Sequence, residues 1–483
     1  MASTYLKRGT ISTPTNNTKG TFSCWFKRGN LTNQTLFCGG TDIGVTSGTK
    51  DMRIYIASSG TTLNFYQDDY SVTGNNTYNF PNILRDTNAW YHLVVAIDTT
   101  QSTNADKVKF YLNGTQLTAN NISVTESFTN LFFNTSGLYQ IIGVYNYNST
   151  NYFDGSMSHI HFIDGTAYDA SAFGEYDANG VWKIKTSPSV TYGNNGFFIL
   201  KDGNSVTDQS GNGNNFTVAG GTLTNTEDSP SNVFCTMNPL DNYYPASTFS
   251  QGNNTIATAS SNRSYNTGTL GVSSGKWYWE VKGVTNVTSS NGCYIGIAST
   301  NPTNDGVSSA QTLGYKQYDY SYYSGSGDYI TNNTSSSYGN SYGDNDIIGV
   351  ALDLDNNKLY FSKNGTWQNS GDPTSGATGT GAISIQAPSG TVNGVYTAGV
   401  GDYWTSGFTV SFNFGNGYFG TTAVASAGTN ASGNGIFEYD VPTGYTALST
   451  KVLNTYCHIL QLKNLLIILI LNFIQVMVLM DMQ

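Results

Sequence analysis

From its start to about residue 455, no stretch of this chain repeats its apolar residues at helical spacing. Instead, short runs rich in Val, Ile, Tyr, Phe, Trp and Thr recur between Gly and Asn turns: GTFSCWFKRG, WYHLVVAIDTT, KVKFYLNGTQL, MSHIHFIDG and GFFILKDG, then GKWYWEVKGV, GCYIGIA, DIIGVALDLDNNKLYFSKNG and FTVSFNFG. Gly and Asx residues tolerate positive φ, so each run ends where the chain can reverse. A chain built only from strands must bury one face of each sheet against another, which predicts an all-β protein made of antiparallel β-sandwiches. At about 100 to 200 residues per domain, the 483 residues call for two or three such units.

The two sets of runs part near TNTEDSPSNVFCTMNPLD, where Pro230 and Pro239 bracket a stretch that does not continue a ladder. The expected division is one sandwich over 1–225, a second over 226–425, and a polar linker or the start of a further module over 426–455. An apolar tail over 456–483 completes the chain. Alternation assigns Trp25, Trp90, Phe110, Ile141 and Phe162 to the first core. Trp277, Ile295, Ile348, Leu352, Leu359 and Phe361 go to the second.

Charged residues make up 11% of the chain against the roughly 25% usual in soluble domains, so amides, hydroxyls and phenols must keep the surface wet. A net charge of -10 with 21 Lys and Arg spread thinly leaves no basic stripe, and nucleic acid is not an expected partner. MASTYLKRGT lacks the apolar region of a secretory signal. Cys24, Cys38, Cys235, Cys293 and Cys457 are odd in number and show no C-x-x-C spacing. They read as reduced thiols of a protein made in a cytoplasm, with a pairing of Cys24 and Cys38 left open.

WYHLVVAIDTTQ followed by KVKFYLNGTQL, and then YFDGSMSHIHFIDGTAYDASAFGEY, resembles laminin-G-like domains of the concanavalin A-like lectin and glucanase type. GKWYWEV and DIIGVALDLDNNKLYFSKNG resemble the signature of a SPRY (B30.2-type) sandwich, with turns at Asp355, Asn356, Asn357 and at Asn364-Gly365. The two in this order, joined by SPSNVFCTMNPLD, resemble tail-fibre-like or virion-surface proteins of tailed phages. That resemblance implies a location on the virion and binding to a host surface.

Glucanases of this fold place E-x-D-x-E on one strand so that alternating carboxylates face one cleft. Glu175-Tyr176-Asp177 and Glu438-Tyr439-Asp440 begin the pattern, but Asn179 and Pro442 stand where the second Glu belongs, so no enzyme is expected. His159 and His161 alternate on one strand and read as packed histidines rather than a metal pair. The loop KDGNSVTDQSGNGNNF offers Asp202, Asn204, Asp208, Asn212 and Asn214 as oxygen ligands, which makes a structural calcium ion the one cofactor to test against a plain turn cluster.

Aromatic loops carry the binding expectation. YKQYDYSYYSGSGDY, with Tyr315, Tyr318, Tyr320, Tyr322 and Tyr323, and VYNYNSTNYFDG, with Tyr145, Tyr147 and Tyr152, mix Tyr with Ser, Gly, Asn and Asp as antibody loops do. Trp404 in GDYWTSG is the exposed tryptophan expected beside them. The expected partners are a host-surface glycan or protein and other virion proteins, with copies of this chain supplying avidity. A purely structural virion role and a glycan-cleaving enzyme are the alternatives. In the tail, Leu465–Met480 falls short of the roughly 20 residues a bilayer crossing needs, and Asn472 and Gln475 interrupt it. In the frame displaced by two bases, Met477 before Val478 and Met480 before Asp481 each read Gly, and Met482 before Gln483 reads Ala. Residues from about Tyr456 are therefore expected to be an out-of-frame ending, and a membrane is not an expected partner.

Overall fold

The computed structural model describes residues 3–45, 49–57, 62–82, 84–201, 205–243, 247–259, 263–288, 292–301, 311–403 and 407–451. The protein is all-β, with two antiparallel sandwiches in tandem. Among the described residues the only α-helix is the single turn Asn104–Lys107. The apolar tail, Cys457, Asp202, Asn204 and Trp404 lie outside the described residues.

In the first sandwich an eight-stranded sheet packs on a six-stranded one. Its centre runs Thr62–Asp69, Lys50–Ala57, Gln34–Gly40 and Tyr139–Ile142; the facing sheet centres on Gly155–Asp164, Lys19–Arg28 and Trp90–Asp98. Phe22, Phe37, Ile54, Phe65, Leu93 and Phe162 meet between them. Phe110 joins this core as expected, but Trp25, Trp90 and Ile141 do not. Trp25 is buried on the outer face, stacked at 4.7 Å on His92. Trp90 there donates its indole N–H to Asp228 at 3.1 Å, and Ile141 packs with Cys38 and Val144 behind the eight-stranded sheet. Both outer faces are partly covered, so alternation alone cannot say which buried face is the core.

In the second sandwich a seven-stranded sheet centred on Ser264–Val272, Tyr396–Asp402, Cys293–Ala298 and Tyr320–Tyr323 faces a sheet centred on Thr409–Asn413, Lys276–Thr285, Ile347–Asp353 and Lys358–Lys363. All six residues expected in this core are there. Asn364 and Gly365 have φ of 50° and 79°, which closes the hairpin from Lys358–Lys363 to Thr366–Trp367. Pro239 lies inside Met237–Tyr243, an outermost strand whose register shifts beside it, where a missing N–H is tolerated.

The segment expected to be a linker after residue 425 belongs instead to this sandwich. Phe437, Val441, Tyr445, Ala447 and Leu448 enter its core, and Thr446–Ala447 pairs in parallel with Lys276–Thr285. Its anchor is Glu280, fully buried, whose carboxylate accepts the backbone N–H groups of Glu438 and Tyr439, each at 2.9 Å. The Ala, Gly and Ser content of 421–434 hid the apolar residues that follow it. Between the two sandwiches, Asp228 is held by Lys27 at 2.7 Å and by the Trp90 indole.

Candidate functional site

The outer face of the eight-stranded sheet carries the first aromatic surface. On Lys50–Ala57, Met52, Ile54 and Ile56 point into the core, which leaves Asp51, Arg53 and Tyr55 outside. Tyr66 is the cross-strand partner of Arg53. The chain after Tyr139–Ile142 folds back over this face, so that the Arg53 guanidinium lies 3.8 Å from the ring centre of Tyr145, 4.6 Å from Tyr66 and 4.8 Å from Tyr55. Asp51, without solvent exposure, approaches Arg53 Nε at 3.6 Å. Burial pushes the Asp51 carboxyl up to about 7 even against this cation. At the edge of the cluster Tyr147 stacks on Tyr70 at 5.2 Å, and Tyr70 is 41% exposed.

The expected loop of Tyr145, Tyr147 and Tyr152 therefore divides. Tyr145 is buried as the lid on Arg53, Tyr147 is half-buried in an outward stack, and Tyr152 packs beside Tyr5.

The outer face of the seven-stranded sheet carries the second surface. Cys293, Ile295 and Ile297 face the core, so Tyr294 lies on the opposite face, where it is buried beside Leu313 and Ile330 and stacks at 4.9 Å on Tyr323. Tyr403, directly after Tyr396–Asp402, approaches Tyr294 at 6.1 Å and Tyr315 at 5.7 Å. Arg263 lies over the Tyr403 ring at 4.0 Å, with Tyr315 at 5.4 Å. The loop bearing Tyr315 can cross the sheet because residue 401 is Gly: a Cβ there would sit 2.1 Å from Thr312 Oγ1.

Two expected ligand residues are corrected here. Tyr320 and Tyr322 alternate with Ser321 and Tyr323 on one strand, and both point inward. Tyr322 is wholly buried, stacked at 5.3 Å on Phe361, and its hydroxyl donates to the Asn340 carbonyl. The Tyr320 hydroxyl accepts from the Gln386 backbone at 3.0 Å. Tyr318 sits at φ 70° before the strand and packs against the same core. Tyr315 and Tyr323 are half-buried on the surface that Arg263 joins.

Among its described residues the loop offers calcium no free carboxylate. Asp208 is its only carboxylate among the described residues, and its two oxygens accept from Phe198 N, Ser210 N, Ser210 Oγ and Asn214 N at 2.8 to 2.9 Å. Donors thus occupy the lone pairs a cation would need. Asn212 donates its amide to the carbonyls of Gly193 and Gly196, as a turn residue does.

His161 bonds the Tyr192 hydroxyl at 2.9 Å and stacks on Phe198, while His159 bonds Ser158 at 2.7 Å. Asp177 accepts from Asn179 and Val181 as a turn cap, and Asp440 accepts from Thr429. Cys24, Cys38, Cys235 and Cys293 are free and buried. A cavity of about 240 Å³ lies between the sandwiches, where Lys27 is paired with Asp228 and the Arg28 guanidinium is bonded to Gln34, Leu84 and Thr32.

Comparison with known proteins fits this architecture. A family model described as the concanavalin A-like lectin/glucanases superfamily matches residues 2–170, and one described as the SPRY domain matches 276–383. The chain thus carries a concanavalin A-like domain followed by a SPRY domain. Similar solved structures include the SPRY domain of human HERC1, at 17% identity over 36% of this chain and 96% of that one, with a TM-score of 0.27. Another is the CBM40 of a Ruminococcus gnavus sialidase bound to alpha2,3 sialyllactose, at 14% identity over 32% and 91%, with a TM-score of 0.24. A third is a SAP-like pentraxin from Limulus polyphemus, at 15% identity over 35% and 72%, with a TM-score of 0.24. A search of curated proteins found no match.

Proposed function

We propose that this protein is a non-enzymatic adhesion protein of a virion surface, which binds a host cell-surface glycan or protein through the outward tyrosines of its two sandwiches. The observation that carries the reading is the pair of tyrosine surfaces, each organised around one arginine and each on the outer face of a sheet. Tyr presents a large amphipathic ring at low entropic cost, which suits weak contacts repeated over many copies. The two Glu-x-Asp pairs lend no support to a hydrolase, because Asp177 and Asp440 cap turns. The resemblance to phage tail-fibre-like proteins supports the virion location.

Clustered protein presented to a glycan array and to host cells should bind above a scrambled control. Binding by neither surface would falsify adhesion. Release of reducing ends from a bacterial polysaccharide would replace it with hydrolysis, and a buried collar position in a particle map would replace it with assembly.

A further inference from the structure

We propose that Arg263 receives the carboxylate of an acidic sugar, with the half-buried rings of Tyr403, Tyr315 and Tyr323 forming the surface beside it. The proposal rests on the adhesion reading and narrows its ligand.

Arg53 and Arg263 both lie over tyrosine rings, but among the described residues only Arg53 has a carboxylate beside it, Asp51 at 3.6 Å. Among the described residues, Arg263 has ring contacts and neither an ion pair nor a hydrogen bond. This is unusual company for a cation in a chain of 31 acidic and 21 basic residues. A guanidinium that meets a ring by its flat face keeps its N–H donors in its own plane, free for a partner at the side. Those donors form a planar fork, and it matches the two oxygens of a carboxylate. The half-buried position strengthens the match by excluding part of the competing water.

The surroundings favour a sugar over an acidic peptide. The surface lies over Ser264–Val272, Tyr396–Asp402, Cys293–Ala298 and Tyr320–Tyr323, which are bonded to neighbours along the sheet. An extended peptide therefore finds no open strand edge here to add to. Recognition must come from the guanidinium and from phenol rings, which suit the C–H faces and hydroxyls of a pyranose.

The test uses the full chain, clustered, and measures binding to oligogalacturonate, to its methyl ester and to polyglutamate of similar charge. The acid should bind, and esterification should weaken binding roughly tenfold or more, the value of a charge-assisted pair. Arg263→Lys keeps the charge and loses the fork, and it should cost about tenfold. Arg263→Gln should bring binding to background, while Lys183→Gln on the first sandwich should change nothing. Equal binding of acid and ester by the unaltered protein overturns the proposal, whatever the variants do. So does polyglutamate binding as tightly as the uronate, which would assign the surface to an acidic peptide. Host-cell adsorption by protein that ignores uronate also overturns it and leaves adhesion standing; uronate binding without adsorption does the reverse.

Discussion

The two sandwiches place one arginine each among outward tyrosines, and they finish the arrangement differently. In the first, Arg53 is capped by Tyr145 and approached by Asp51, a carboxylate with no solvent exposure. In the second, Arg263 lies on Tyr403 with no carboxylate from the protein among the described residues. The same cation on the same kind of ring therefore belongs to the fold in one place and stands open in the other. Cation–π stacking alone does not identify a binding site; the presence or absence of an internal counter-ion separates the two cases.

The largest effect expected from breaking this comparison is on the closed side. Arg53→Ala empties the space among Tyr145, Tyr66 and Tyr55 and removes the cation beside Asp51, and it should destabilise the first sandwich by about 3–5 kcal/mol, read by urea denaturation. Tyr322→Ser opens a cavity against Phe361 and should cost the second sandwich a similar amount, about 3–5 kcal/mol. A ligand-facing Tyr322 would show no such loss.

Next comes pH. Burial raises the carboxyls of Asp51, Glu280 and Asp319 from their ordinary 3.8, 4.5 and 3.8 to about 7 each. The folded state thus holds these protons more tightly than the unfolded chain does. Their contribution to stability is full below about pH 4 and is lost as pH rises through about 7. Denaturation at about pH 5 and about pH 8 should differ by a few kcal/mol in favour of the lower pH, and Asp51→Asn should flatten the share of the first sandwich. The smallest effects belong to the open side. Arg263→Ala should change stability by less than about 1 kcal/mol, and Tyr70→Ser, removing one exposed ring of a stacked pair, by about 0.5–1.5 kcal/mol.

Much of this was legible in the sequence. Strand runs and Asn-Gly turns foretold two sandwiches, and Trp277, Ile295 and Phe361 lie in the second core although its central strands are buried on both faces. Trp25 and Trp90 were misplaced because the sheet that carries them is covered on both sides, which erases the polar half of the alternation. In YDYSYY the density of Tyr looks like a loop property, whereas the pleat sends Tyr320 and Tyr322 inward and only Tyr323 outward. Arg53 had a faint signal, alternating with Asp51 and Tyr55 in one strand. Arg263 had none, since Tyr294, Tyr315 and Tyr403 reach it from distant parts of the chain. Pairing between strands, not local pattern, assembles that surface.

The central claim is that one arginine holds the fold and the other meets the ligand. The most direct test is Arg263→Lys, with melting temperature and host adsorption per folded molecule measured on the same preparation. The account predicts a melting temperature within about 3 °C of the unaltered protein and adsorption reduced roughly tenfold. A marked fall in melting temperature with adsorption per folded molecule unchanged would contradict it and would make Arg263, like Arg53, a part of the fold.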